Sequence, residues 1–209
     1  MPAFHGLTFN ETMWAELNEE EFLKNQEDKY YIYFTAKIKA EKALWEFAAE
    51  HPEISVATIL PGYVIGPYPK TFPRPTSIGN TGTNDFVHGM ISKGEVPFAP
   101  NWIVDVRDVA KGHVRALEKL PLPSGDIGRF IVNGATLPWK KAAEHLKKAR
   151  PEVADRIVDL ETVNPLPGVL STLDTTRAKE ILGIEFIPTE KTFEDAVDDL
   201  LALEKEWKN

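Results

Sequence analysis

The chain has 209 residues and a formal net charge of −8, which suits one domain with a sizeable core. This acidic balance argues against binding to nucleic acid or to an anionic membrane surface, because both need a basic face. The lack of cysteine excludes disulfides and thiolate zinc sites, and the five histidines lack metal-site spacing, so no metal is expected.

The first part of the chain, residues 1–28, is predicted to be a loop followed by a short acidic helix. The start shows no basic segment followed by an apolar one, so no signal peptide is expected. No run approaches the roughly 18 apolar residues of a membrane span. A cytoplasmic location is therefore expected.

A long helix is predicted over residues 30–50, where apolar side chains recur every three or four positions. On this helix Tyr33 and Lys37 are four residues apart and share one face. A free tyrosine titrates near pH 10, and a cation within about 4–6 Å favours its phenolate form. Such a pair could give a proton to a developing alkoxide. The spacing alone is common, so an ordinary pair on the helix surface is the alternative.

A short apolar strand is predicted at about 54–60, buried on both faces as in a parallel sheet. The sequence PGYVIGP at 61–67 predicts a turn at the carboxyl end of this strand, where open α/β sheets bind ligands. A proline-rich loop covers 68–83. Asn84 is predicted to cap a helix that runs to about Lys93, with Gly94 as its C′ residue.

The second half alternates short strands and helices. A strand is predicted at 102–104, followed by a helix from Asp105 to about Leu117, whose acidic first turn suits the helix dipole. A second apolar strand is predicted at 129–132, then helices at about 138–149, before Gly183 and at the end of the chain. The sequence thus indicates an α/β fold.

Three stretches in this order resemble the extended short-chain dehydrogenase/reductase superfamily (the NAD-dependent epimerase/dehydratase family). They are the Tyr33-x-x-x-Lys37 helix with the strand and PGYVIGP turn after it, DVRDVA at 105–110, and LDTTRAKEILG at 173–183. Within the superfamily the chain looks most like fungal NADPH-dependent ketone and methylglyoxal reductases, and like the dihydroflavonol and cinnamoyl-CoA reductases of plants.

The resemblance implies NADP(H) as cofactor and a small aldehyde or ketone as substrate. Tyr33 would be the proton donor, and Lys37 would acidify the phenol and hold the nicotinamide ribose. Backbone of the 61–67 turn near Val64 would lie against the nicotinamide. The implied cofactor-binding residues are Tyr33, Lys37, Pro61, Gly62, Val64 and Thr83. Relatives carry a serine where this chain has Gly82, so Thr83 is the candidate replacement.

Two features of the family are absent from this sequence: the glycine-rich turn that holds the dinucleotide phosphates and the catalytic serine before the tyrosine. The chain therefore resembles the C-terminal part of an NAD(P)-binding Rossmann-type reductase, a partial parallel sheet with substrate-side helices. We expect one truncated domain over 1–209. Residues 1–67 and 95–135 would form the residual Rossmann portion, and 68–94 and 136–209 mostly the substrate-side portion.

Two hypotheses for the function follow. In the first, the chain is a carbonyl reductase by family resemblance, with impaired cofactor binding. In the second, it is a non-catalytic interaction protein that keeps the substrate-side lobe. The second hypothesis draws on the expected open edge of the strand at 54–60, which could recruit a partner chain or a second copy.

Overall fold

A computed structural model of the chain describes residues 2–94, 101–159, 161, 163 and 168–208. The first residues of the predicted 95–135 segment, 95–100, lie outside the described residues. The helices and strands follow in chain order: β1 (Thr8–Phe9), α1 (Glu19–Lys24), α2 (Lys29–Glu50), β2 (Thr58–Pro61), β3 (Tyr63–Ile65), α3 (Asn84–Met90), β4 (Ile103–Asp105), α4 (Val106–Lys119), β5 (Arg129–Val132), α5 (Trp139–Ala149), β6 (Thr172–Leu173), α6 (Thr176–Glu180) and α7 (Thr189–Glu206).

All the strand pairs are parallel, and each forms a small two-stranded sheet: β2 with β5, β3 with β4, and β1 with β6. The pairing of β2 with β5 aligns Thr58 with Arg129 and Pro61 with Val132. The predicted α/β class with a partial parallel sheet is confirmed. The strand predicted at 54–60 begins only at Thr58, and its side chains are half-buried rather than buried on both faces.

The prediction of a simple turn at 61–67 is wrong, because β3 lies within it and pairs with β4. Gly62 separates β2 from β3 and explains the change of partner. A Cβ at Gly62 would overlap the carbonyl oxygen of Trp102 and Oδ1 of Asn133. Since glycine has no Cβ, the chain passes this point closely and the N–H of Tyr63 donates to the Trp102 carbonyl at 2.6 Å.

Most of the buried apolar side chains belong to one lobe built from α3, α5 and α7, with single residues from β3 and β4. An edge-to-face series of rings runs through it, from Phe86 to Trp139 (centroids 6.1 Å apart) and from Trp139 to Phe193 (6.0 Å). A second, smaller cluster joins α4 and α6 to β5 around Phe130. Neither of these core clusters contains a residue of α2.

Helix α7 holds this lobe together through several of its carboxylates, which meet arginines from elsewhere in the chain. Arg150 pairs with Asp198 at 2.6 Å, Arg74 with Asp199 at 3.0 Å, and Arg156 with Glu204. Arg107 joins Asp195 of α7 (2.8 Å) to the buried Asp105, which also caps α4. The predicted helix after Asp105 is confirmed. Asp105 and Arg107 of its DVRD sequence make the ion pairs that connect α4 to α7.

The loop before α3 is fixed differently from the prediction. Asn84 does not cap the helix; its side-chain amide instead bonds both the N–H (3.1 Å) and the C=O (2.8 Å) of Gly66. The residue with a left-handed backbone after α3 is Lys93 (φ 56°), not Gly94. Gly94 follows it, and its N–H donates to the Gly89 carbonyl at 2.9 Å.

Helix α2 is almost entirely exposed: of its 22 residues only Thr35 is buried. Its large apolar side chains are open to solvent, with Tyr33 55% exposed and Phe47 45% exposed.

No helix within the described ranges is long and apolar enough to cross a membrane. Likewise, the described histidines and carboxylates include no group of three that could hold a metal ion.

Replacing Gly62 by alanine is expected to lower the free energy of unfolding by about 1–3 kcal/mol, because the new methyl group overlaps backbone and the Asn133 amide. The matched control is Gly112→Ala on α4, where the nearest atom to a Cβ is a methyl group of Val132 at 3.4 Å. That change should be neutral, or stabilising by up to about 1 kcal/mol. Urea unfolding measures both, and equal effects would contradict the close approach at Gly62.

Acid should weaken the attachment of α7. Hydrogen bonds from the Arg156 guanidinium lower the pKa of Glu204, against the opposing effect of burial. A carboxyl with a lowered pKa in the folded state stabilises the fold above its unfolded pKa of about 4.3, and this stabilisation is lost as the pH falls through the folded value. Glu204→Gln should therefore cost about 1–3 kcal/mol at pH 7 and much less near pH 3.

Chemical unfolding at a series of pH values tests this. The control is Glu185→Gln, since Glu185 is exposed in the loop before α7. A pH dependence of Glu204→Gln equal to that of the wild type would show that the ion pair contributes nothing to acid sensitivity.

Candidate functional site

The predicted catalytic pair lies in the first turns of α2. Asp28 starts this helix, because its carboxylate accepts hydrogen bonds from the N–H groups of Tyr30 (2.9 Å) and Tyr31 (3.1 Å). One turn later Nζ of Lys37 lies 5.6 Å from the centroid of the Tyr33 ring. The structure thus brings the phenol and the ammonium together as the spacing predicts, on a face open to solvent.

A second phenol, which the sequence reading did not single out, lies near this pair. Tyr63 is the first residue of β3 and is half-buried, with its ring edge against Phe86 (centroids 5.7 Å apart). Burial raises the pKa of Tyr63, and the phenolate charges of Tyr30 and Tyr33 raise it further. The phenol of Tyr63, at the start of β3, therefore stays protonated at neutral pH.

The predicted cofactor-binding turn is held by Thr83. The Thr83 hydroxyl donates to the carbonyl of Val64, so the structure joins two of the residues that the family resemblance assigns to the cofactor. Pro61 is exposed at the end of β2, while Gly62 is fixed by its close approach to Trp102. Thr83 consequently acts on the turn through Val64.

Buried amides lie beside the same turn. Within the described part of the chain, the buried side-chain atoms with no hydrogen-bond partner are both polar atoms of Asn101 and Oδ1 of Asn133. Asn133 directly follows β5, at the carboxyl end of the β2–β5 sheet, and borders Gly62. In parallel sheets ligands bind at this end of the strands. These amides are the polar groups beside the turn that remain able to bond a ligand or water.

The middle of α2 is fixed to the β2–β5 sheet by an ion pair between Glu41 and Arg129, which the sequence analysis did not predict. Glu41 accepts from Nε of Arg129 at 3.0 Å and from its second terminal nitrogen at 3.1 Å. Thr58 of β2 donates to the same carboxylate at 2.8 Å. Two features of the sequence could have indicated this ion pair. Glu41 lies four residues after Lys37 on the same helical face, and Arg129 is a lone arginine at the start of an apolar strand.

The residues present fit the nicotinamide end of a dinucleotide and not its phosphates. Tyr33 and Lys37 offer a phenol and an ammonium to a ribose and a carbonyl, and the turn at Gly62 and Val64 lies at the carboxyl end of the sheet. Phosphates require a glycine-rich turn at a helix N-terminus, and this sequence has none of that pattern.

No protein-family model matches the chain. It is 32% identical over 204 residues to the ketoreductase azaE of Aspergillus niger, a match that covers 96% of this chain and 58% of that protein. It is 29% identical over 210 residues to the NADPH-dependent methylglyoxal reductase GRE2 of Saccharomyces cerevisiae, covering 95% of this chain and 58% of the relative.

Solved structures show the same likeness. The yeast methylglyoxal/isovaleraldehyde reductase Gre2 complexed with NADPH matches with a TM-score of 0.77 and 28% identity, over 95% of this chain and 58% of that one. Gre2 from Candida albicans matches in fold with a TM-score of 0.79, over 97% and 60% of the two chains. The chain thus spans less than two thirds of the length of these relatives. In sequence the chain is similar to these reductases, and its structure has the C-terminal part of the Rossmann-type fold of the extended short-chain dehydrogenase/reductase superfamily.

Proposed function

We propose that this chain carries the proton-donating and substrate-side part of an NADPH-dependent reductase of aldehyde and ketone carbonyls. The observation that supports this most directly is the Tyr33–Lys37 pair, with Nζ 5.6 Å from the ring centroid, on the face of α2 near Tyr63. The similarity to a ketoreductase and to an NADPH-dependent methylglyoxal reductase supports the reaction type and the cofactor.

In this proposal NADPH supplies a hydride to the carbonyl carbon. Tyr33 gives its phenolic proton to the carbonyl oxygen, so the product is an alcohol and the phenolate is reprotonated from water. Lys37 stabilises the phenolate by its charge and holds the ribose hydroxyls. The backbone of Pro61, Gly62 and Val64 would hold the nicotinamide, and Thr83 fixes that backbone through the Val64 carbonyl.

The same proposal assigns different parts of the chain to the cofactor and to the substrate. Residues 1–67 and 95–135 act as the remaining Rossmann portion, and 68–94 with 136–209 mostly as the substrate side. Because the sequence lacks the phosphate-binding turn and the catalytic serine, this chain alone holds only the nicotinamide riboside end. We therefore expect weak cofactor binding and impaired turnover from the 209 residues by themselves.

A titration of NADPH into the purified chain, followed by tryptophan fluorescence, tests the assignment of Lys37. Removing a charged hydrogen-bond donor costs about 1.5–3 kcal/mol, so Lys37→Ala should weaken binding by roughly tenfold or more. Lys39→Ala on the same helix is the control, since its ammonium lies over the Phe22 ring instead.

Turnover of small aldehydes and ketones tests Tyr33 in the same preparation. Tyr33→Phe should leave NADPH binding nearly unchanged. It should lower kcat by about 10²–10⁴-fold, which is the rate enhancement that a general acid typically contributes. Tyr31→Phe is the control, because Tyr31 has a threonine rather than a lysine four residues on. No NADPH binding up to millimolar concentration, or equal losses in the two tyrosine variants, would refute the proposal.

A second candidate, a non-catalytic interaction protein, is favoured by an asymmetry between the two edges of the β2–β5 sheet. The outer edge of β5 is blocked by side chains: Glu11 accepts from the N–H of Ile131 (3.0 Å), and Arg177 donates to the carbonyl of Arg129 (3.3 Å). In the described structure β2 pairs only with β5. Its other edge therefore presents unpaired backbone groups, and large apolar side chains of α2 are exposed as well.

Under this candidate the chain should associate with itself in a concentration-dependent way. Sedimentation velocity over a hundredfold concentration range should show dimers at the upper end, and Phe34→Lys with Phe47→Lys on α2 should abolish them. Leu117→Lys is the control, because Leu117 is 73% exposed on α4. A monomer at all concentrations would rule out the edge as a self-association surface.

A further inference from the structure

Glu41 lies on the same helical face as the proposed catalytic pair. Tyr33, Lys37 and Glu41 follow one another at intervals of four residues, so they form a single row along α2. With a rise of about 1.5 Å per residue, Glu41 lies about 12 Å from Tyr33 along the helix axis. A contact that fixes Glu41 therefore fixes the direction in which Tyr33 and Lys37 point.

The contacts of Glu41 are strong and shielded. Both carboxylate oxygens accept from Arg129, at 3.0 and 3.1 Å, and the side chains of Arg129 and Glu41 are only 9% and 15% exposed. Thr58 and Trp45 donate to the same carboxylate at 2.8 and 3.4 Å. Burial acts to raise the pKa of Glu41, but the hydrogen bonds from Arg129 and Thr58 outweigh it and the pKa is lowered. The carboxylate is thus held ionised against the sheet.

Arg129 joins three parts of the chain at this point. It is the first residue of β5, and its guanidinium also donates to the carbonyls of Glu11 and Met13, the latter at 3.0 Å. The guanidinium carbon lies 3.9 Å from the centroid of the Trp14 ring. One side chain therefore connects α2, the β2–β5 sheet and the segment at 11–14.

We propose that Glu41 and Arg129 are positioning residues for the Tyr33–Lys37 pair. This inference rests on the proposed reductase function. Thr35 is the only buried residue of α2, and its apolar packing is confined to half-buried side chains such as Trp45, which lies against Gly128. Apolar packing alone therefore does little to set the rotation of α2 about its own axis. A bidentate arginine–carboxylate pair fixes the relative orientation of the two side chains as well as the distance between them. Catalytic groups need to be held within about 0.5 Å and 10–20°, and this ion pair supplies that constraint.

The position of α2 can be measured without any turnover. The chain has no cysteine, so paired spin labels can be placed on Ala36→Cys, exposed on α2, and Lys119→Cys, at the end of α4. Glu41→Gln, which keeps the shape and removes the charge, should shift or broaden the measured distance distribution by about 2 Å, well beyond the roughly 0.5 Å tolerance of a catalytic site. Glu46→Gln is the control on the same helix, since Glu46 is exposed and has no ion pair among the described residues.

The kinetic arm uses NADPH with a small aldehyde. A displacement of about 1 Å costs up to roughly 100-fold in rate, so Glu41→Gln should lower kcat by about 10–100-fold and leave KM for the aldehyde nearly unchanged. If Glu41→Gln fails to fold by circular dichroism, Arg129→Lys is used instead. It keeps the charge but loses the two-pronged geometry, and the same displacement of α2 is expected.

The two arms separate this inference from the proposed function. Absence of turnover in the wild type, together with a displaced α2 in Glu41→Gln, would refute the reductase activity and support the positioning role. An unchanged distance distribution in a folded Glu41→Gln or Arg129→Lys variant would overturn the positioning role, even if thermal stability falls, because the ion pair would then only stabilise the fold.

Discussion

The bond between Arg129 and Glu41 is the constraint on which the arrangement of the candidate site depends. The apolar core lies in the lobe of α3, α5 and α7, and α2 shares almost none of it. A helix with one buried residue has little apolar packing to hold it, so its placement relies on polar contacts. The guanidinium of Arg129 makes the strongest of these, and it does so from the strand that pairs with β2.

The backbone between β2 and β3 is the second part of the candidate site that is fixed by its contacts. Gly62 allows the chain to pass against Trp102 and Asn133, which moves the backbone from one small sheet to the next. Thr83 then fixes Val64 from above. The backbone is held here by close packing and by a hydrogen bond, so a nicotinamide ring would meet a surface already formed, which lowers the cost of binding it.

Local patterns revealed much of this fold. The helix of α2, the strand Arg129–Val132 and the start of α4 at Asp105 follow from periodicity, apolar runs and capping, all of which act within a few residues. The proximity of Tyr33 to Lys37 also follows, because helix geometry alone brings residues four apart together.

What the sequence could not show depends on long-range contacts. Glu41 and Arg129 are 88 residues apart, so no local pattern indicates that they meet. The strand β3 was hidden within a glycine- and proline-rich stretch, and only its pairing with β4 makes it extended. The failure of Asn84 as a helix cap has the same cause, since the buried backbone of Gly66 competes for its amide.

The two candidate functions share one structural origin. The lobe of α3, α5 and α7 has its own core and the arginine–carboxylate contacts of α7, whereas α2 and the free edge of β2 are exposed. The outer edge of β5 is protected by Glu11 and Arg177, so any added strand must join at β2. A strand added there would extend the sheet to which Glu41 attaches α2 through Thr58 and Arg129. The strand edge that favours an interaction partner and the helix that carries the proposed catalytic pair are therefore linked through Glu41, whose carboxylate accepts a hydrogen bond from Thr58 of β2.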